Sequence, residues 1–201
     1  MGEPFMNPKQ TETNTLKRFA SKGVFPYQFA FTLLIPFRNI FLSPKQLIQR
    51  MGLANNHRVL EVGSGPGYFS IKIAQALTNG QLVLADIQQE MLDYAKKRLL
   101  KKNLNNVEYY LCNGDEFNFP DNSFDRIFMV TVIGEVENKE KYLQEFLRIL
   151  KPGGILSISE LAGDPDKMTI AELKDIVGRV GFDLDQIFGN ERNYTINFKK
   201  K

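Results

Sequence analysis

Short apolar runs alternate with amphipathic stretches along most of the chain. The runs at His57 to Val62, Gln81 to Ala85, Val107 to Leu111, Arg126 to Val132 and Ile155 to Ser159 have the length of strands. Between them lie helical patterns. In Tyr68 to Leu77 the residues Phe69, Ile71, Ile73, Ala74 and Leu77 share one side, and in Gln88 to Lys102 Met91, Leu92, Ala95, Leu99 and Leu100 face inward. Lys139 to Leu150 and Thr169 to Val180 read as further helices, and Asp183 to Phe188 with Tyr194 to Phe198 as two final strands in a hairpin-like edge. Ser43-Pro44 supplies an N-cap and a first helical position for PKQLIQRMG, which closes at Gly52. Strands that alternate with helices predict an α/β, doubly wound, mostly parallel sheet.

Ligands of open α/β sheets bind outside the carboxyl ends of the strands, so the residues there carry the chemistry. After the first strand, VLEVGSGPGYFS places Glu61 and then Gly63, Ser64, Gly65, Pro66 and Gly67. A dinucleotide fingerprint would put its third glycine at position 68, which is Tyr68; the glycine falls one residue early. No Gly-Lys-Ser/Thr follows, so a Walker loop is excluded as well. The turn lets a ligand approach the backbone but suits a pyrophosphate poorly. At the end of the second strand, 19 residues beyond Gly67, Asp86 can accept hydrogen bonds from both hydroxyls of a ribose. Asp115, after the third strand, can accept one from an adenine amine. Carboxylates repel phosphates, and an adenosine bearing an amino acid and a sulfonium fits them better.

The segments VLEVGSGPGYFS, LADIQQEML, NGDEFNFPDNSFDRIFMV and RILKPGGILSISE together resemble the class I S-adenosylmethionine-dependent methyltransferases, in the group acting on small molecules, quinones or lipids. The blocks cover about half the chain in the family's order and spacing. The resemblance implies a Rossmann-like sheet of seven strands with an antiparallel last strand. It also implies S-adenosylmethionine as cofactor, with S-adenosylhomocysteine as product. Glu61, Gly63, Ser64, Gly65 and Gly67 match the positions around the methionine portion. Asp86 matches the ribose ligand, Ile87 the adenine face, Asp115 and the backbone of Glu116 the adenine edge, and Thr131 a position that lines the cofactor. Glu135, in TVIGEVENKE, stands where related sequences often carry histidine. It reads either as a group facing the methyl or the acceptor, or as a charge at a helix entry before Asn138; Glu160 shares that ambiguity.

Composition narrows the setting. With 26 Lys+Arg against 23 Asp+Glu the net charge is +3, too small an excess to argue for nucleic acid. The lysines of KKRLLKKN fall on the solvated face of a helix. Cys112 is the one cysteine and His57 the one histidine, which excludes an internal disulfide and a zinc cluster. Cys112 is expected to pack, and His57 opens the first strand, at the edge opposite the pocket. A cytoplasmic setting is expected, because the polar N-terminus has no secretory apolar core and Tyr27 to Ile35 is too short to span a bilayer. Residues 1–42 form an N-terminal helical extension, and residues 43–201 the cofactor-binding domain. The aromatic stretch within 25–42 packs on the domain and partly covers the pocket, with membrane-surface contact as the alternative. The acceptor is expected to be a small or apolar molecule. A non-catalytic cofactor-binding protein and a nucleic-acid or protein methyltransferase are the rival readings, and no Asn/Asp-Pro-Pro-aromatic block follows the fourth strand to favour the latter.

Overall fold

The computed structural model describes residues 41–113 and 115–201. Its elements run α1 (Pro44–Arg50), β1 (Arg58–Val62), α2 (Ser70–Ala76), β2 (Gln81–Asp86), α3 (Gln89–Leu100), β3 (Val107–Leu111), β4 (Phe124–Val130), a 3-10 turn (Ile133–Glu135), α4 (Lys139–Ile149), β5 (Leu150–Glu160), α5 (Ile170–Val180), β6 (Asp183–Asn190) and β7 (Asn193–Lys199). The described residues form a seven-stranded sheet in the order β3-β2-β1-β4-β5-β7-β6. The first five strands pair in parallel, and β7 runs antiparallel to both β5 and β6. β6 is therefore one edge, with β3 the other, and the side chains of β6 are mostly exposed.

Alternation along each strand divides the core in two. Leu60, Val83, Ile127, Met129, Leu156 and Ile158 face α4 and α5, while Val59, Leu82, Leu84 and Phe128 face α1, α2 and α3. Both faces are buried, which is why the strands read as unbroken apolar runs. Under α4 the rings of Phe117, Tyr142 and Phe146 meet at centroid distances of 4.8–5.3 Å. Leu42 is buried in the second core, but the rest of the aromatic stretch expected over the pocket lies outside the described residues, except Phe41. No helix among the described residues is long and apolar enough to cross a membrane.

The cap at Ser43 acts as read, and Thr169, expected as the first helical residue, is an N-cap instead. Ser43 Oγ accepts from the Gln46 amide at 3.2 Å while Gln46 returns a bond to the Ser43 amide at 2.9 Å. Thr169 and Glu172 form the same reciprocal pair at the start of α5. Two strand boundaries move. β4 spans Phe124–Val130 rather than ending at Val132, because Thr131 takes a left-handed backbone (φ 56°) and turns the chain out of the sheet. β5 begins at Leu150, where a helix end was expected. Lys151 to Gly154 form an irregularity opposite Asp125, held from the other side by Gly153 N to Lys200 O (2.9 Å) and Lys200 N to Gly154 O (3.1 Å).

Candidate active site

The glycine turn leaves β1 with the amides of Gly63 and Ser64 both donating to Ala85 O, at 2.8 and 3.2 Å. Gly63 has φ 65°, and a Cβ there would lie 2.4 Å from Val132 Cγ2, so only glycine fits. The Gly65 amide donates to Asp86 Oδ2 (2.8 Å) and the Gln88 amide to Asp86 Oδ1 (3.0 Å). The carboxylate that ends β2 thus fixes the loop that follows β1. Arg98 of α3 closes the arrangement from beneath, donating from Nη1 to Pro66 O (2.6 Å) and Gly67 O (2.8 Å).

These elements open onto a cavity of about 1040 Å³ at the carboxyl ends of the strands. Glu61, Gly63, Ser64, Gly65, Asp86, Ile87, Asp115, Thr131 and Glu135 all line it. Gly67 does not; it faces Ala95, where a Cβ would come within 3.1 Å, and its part is to let α3 approach the turn. Glu116, expected at the adenine edge, does not line the cavity either; its exposed side chain pairs with Lys141 at 3.0 Å. Glu160 is wholly buried behind the wall. His57 lies at the amino ends of the strands, its Nδ1 accepting from the Ala54 amide at 3.2 Å.

The sequence pattern did not reveal three contributors. Arg98 sits in a lysine-rich stretch that reads as a solvated face, yet it is partly buried and holds the turn. Ser70 Oγ donates to Glu61 Oε2 at 2.6 Å, fixing a carboxyl group that has almost no exposure. The loop Leu161 to Asp166 forms the wall beyond β5. It rests on Gly134, where a Cβ would lie 2.0 Å from Asp166 O.

Burial dominates the electrostatics. Desolvation pushes Glu61 up to about 8, against the lowering effect of Ser70 and with a smaller contribution from Asp86. Asp86 is raised by burial against the lowering effect of its backbone amides. Glu160 is raised to about 8 by burial and then by Asp164, and Glu135 to about 7 by burial and then by Asp164, Asp166 and Asp86. Burial and the Asp86 charge push the Cys112 thiol up to about 12, so it is an inert packed group. Three glutamates with folded pKa values above the ordinary carboxylate range bind more protons folded than unfolded between about pH 4.5 and 8. Stability is therefore expected to fall as pH rises through that window. Thermal melts should show Glu160→Gln matching the parent at pH 5 and melting higher at pH 8; an unchanged difference between the two pH values would contradict the assignment.

One observation fits a polar ligand group at the turn: Ser64 Oγ lines the cavity, buried and with no hydrogen-bond partner. The comparisons agree. The family model described as "Methyltransferase domain" matches residues 53–187. The ubiquinone/menaquinone biosynthesis C-methyltransferase UbiE of Pseudoalteromonas translucida is 36% identical over 123 residues, 60% of this chain and 49% of that protein. UbiE of Francisella tularensis subsp. novicida is 36% identical over 120 residues, 59% of this chain and 48% of its own. The chain thus spans about half the length of these curated relatives. Among solved structures, a SAM-dependent methyltransferase from Aquifex aeolicus superposes with TM-score 0.81 at 25% identity, over 87% of this chain and 98% of that one. The [4+2]-cyclase SpnF shares the fold with TM-score 0.64 at 23% identity, over 72% of this chain and 58% of that one. With the family model covering well over half of the sequence, the chain belongs to the methyltransferase domain family, of the class I S-adenosylmethionine-dependent type.

Proposed function

We propose that the protein transfers a methyl group from S-adenosylmethionine to a small-molecule acceptor by direct in-line displacement. The observation that carries this reading is the Asp86 carboxylate, braced by two backbone amides beside the glycine turn and open to the cavity. Asp86 would hold the ribose, Ile87 the adenine face and Asp115 the adenine amine. Gly63, Ser64 and Gly65 would cradle the methionine portion. Glu61 adds a carboxyl group able to ionise against a nearby cation. When bound, the cofactor supplies a methyl group already activated by its sulfonium, so the protein needs no covalent nucleophile. Its own contribution is alignment and exclusion of water, for which Val130, Val132 and Leu161 provide apolar wall. Glu135 is the group placed to take a proton from the acceptor.

The names of the UbiE relatives specify carbon methylation in quinone biosynthesis, and SpnF shows that this fold also serves a cyclase. Turnover is the deciding measurement. Purified protein incubated with methyl-labelled cofactor and fractionated cell extract should yield S-adenosylhomocysteine and a labelled small molecule. Tight S-adenosylhomocysteine binding with no labelled product in any fraction would favour a non-catalytic binding protein.

Arg98 offers a separate check. Losing two charge-assisted bonds to loop carbonyls is expected to weaken S-adenosylhomocysteine binding about tenfold in Arg98→Met, an effect of the size of one such bond. Lysine at this position should recover part of the loss. Calorimetric affinity equal to the parent's would show the guanidinium to be ornamental to the turn.

A further inference from the structure

α4 meets the cavity through its first turn. Asn138 caps the helix, its side-chain oxygen accepting from the Lys141 amide at 3.1 Å, and from there Tyr142, Leu143, Phe146 and Ile149 fall on the buried side. Tyr142 is the first of these, one turn from the cap, and it lines the cavity. Its ring packs on Phe117 and Phe146 at centroid distances of 5.3 and 4.8 Å, and the residue is only 6% exposed. The hydroxyl, however, makes no hydrogen bond to any described residue. Nor is it among the described polar atoms that are both unpartnered and sealed from the surface. The phenol tip therefore opens into the cavity that its ring lines.

Its surroundings belong to the cofactor half. Burial first, and then Cys112, Asp86, Asp115 and Tyr110, push the titration of the phenol well above its ordinary range, so it stays protonated and donates. All four of those groups lie on β2, on β3 or in the chain just beyond β3, and Glu135, on the acceptor side, is not one of them. Carboxylates accept only, whereas the ring nitrogens of an adenine need a donor. We propose that the Tyr142 hydroxyl donates a hydrogen bond to a ring nitrogen of the bound adenine, so that α4 joins the chain beyond β2 and β3 in selecting the base; the inference rests on the S-adenosylmethionine site assigned above. A base that presents an N–H at the same point sets donor against donor and is disfavoured.

The test pairs one substitution with one ligand atom. Calorimetry measures the parent and Tyr142→Phe with S-adenosylhomocysteine and with its 1-deaza, 3-deaza and 7-deaza analogues, each carrying C–H in place of one ring nitrogen. The substitution should weaken S-adenosylhomocysteine binding about fivefold to tenfold, the scale of one hydrogen bond, and leave one of the analogues unaffected, because that analogue has already lost the acceptor. Phenylalanine keeps the ring on Phe117 and Phe146, so thermal melts of the two unliganded proteins should coincide while the rise in melting temperature on adding S-adenosylhomocysteine shrinks. Equal affinity of the two proteins for S-adenosylhomocysteine, or an equal loss across all the ligands, overturns the proposal and leaves the cofactor site standing. A parent that binds none of the ligands overturns both.

Discussion

Replacing Asp86 by alanine is expected to weaken S-adenosylhomocysteine binding by at least about 100-fold, the largest effect of any single change in the cofactor half of the site. The reason is that the carboxylate serves twice. It would hold the ribose, and it already accepts from the Gly65 and Gln88 amides at 2.8 and 3.0 Å. Alanine leaves both donors unpaired near the base of the cavity, and each loss of a charge-assisted bond costs about 1.5–3 kcal/mol. Asparagine keeps one side-chain oxygen, so Asp86→Asn should fall between parent and alanine. Calorimetry on variants shown by circular dichroism to be folded gives the measurement, and parental affinity in Asp86→Ala would remove Asp86 from the site.

The second large effect belongs to Glu135. If it takes the acceptor proton, only its ionised form works. Burial first, and then Asp164, Asp166 and Asp86, place its titration near pH 7. Methyl transfer should therefore be slow below pH 6, rise through about pH 7 and level off above 8. Glu135→Gln should lower the plateau by roughly 100- to 10,000-fold, the range of general base catalysis, and flatten the profile. Asp164→Asn removes one repelling charge and should move the midpoint to lower pH. Carbon NMR of the labelled glutamate carboxyl groups checks the titration without any acceptor. A Glu135 signal that titrates at the ordinary value near 4.5 would separate it from the chemistry.

What the sequence disclosed follows from the range of the interactions involved. β1, β2 and β4 are buried on both faces, so their apolar runs stand out, and Ser43 announces its helix through a partner three residues away. The placement of Glu61 to Gly65 and of Asp86 at the cavity was legible because it follows from position relative to a strand end. Arg98 was not, since its partners lie 31 and 32 residues back and its neighbours Lys96 and Lys97 disguise it. The start of β5 was hidden because proline and glycine at Pro152 to Gly154 signal a turn, whereas pairing with the chain near Lys200 holds them in the sheet. The loop at Asp164 and Asp166 carries no periodic pattern; its place is set by contact with Gly134, 32 residues earlier in the chain.

α3 spans the cofactor half of the site from end to end. Its N-terminal side adjoins the Asp86–Gln88 bond, and its last turn carries Arg98 under Pro66 and Gly67. If the ligand lies as proposed, its nucleoside and its amino-acid tail would sit at opposite ends of one helix, and adenosine bound at the Asp86 end is expected to raise the affinity of the glycine turn for methionine.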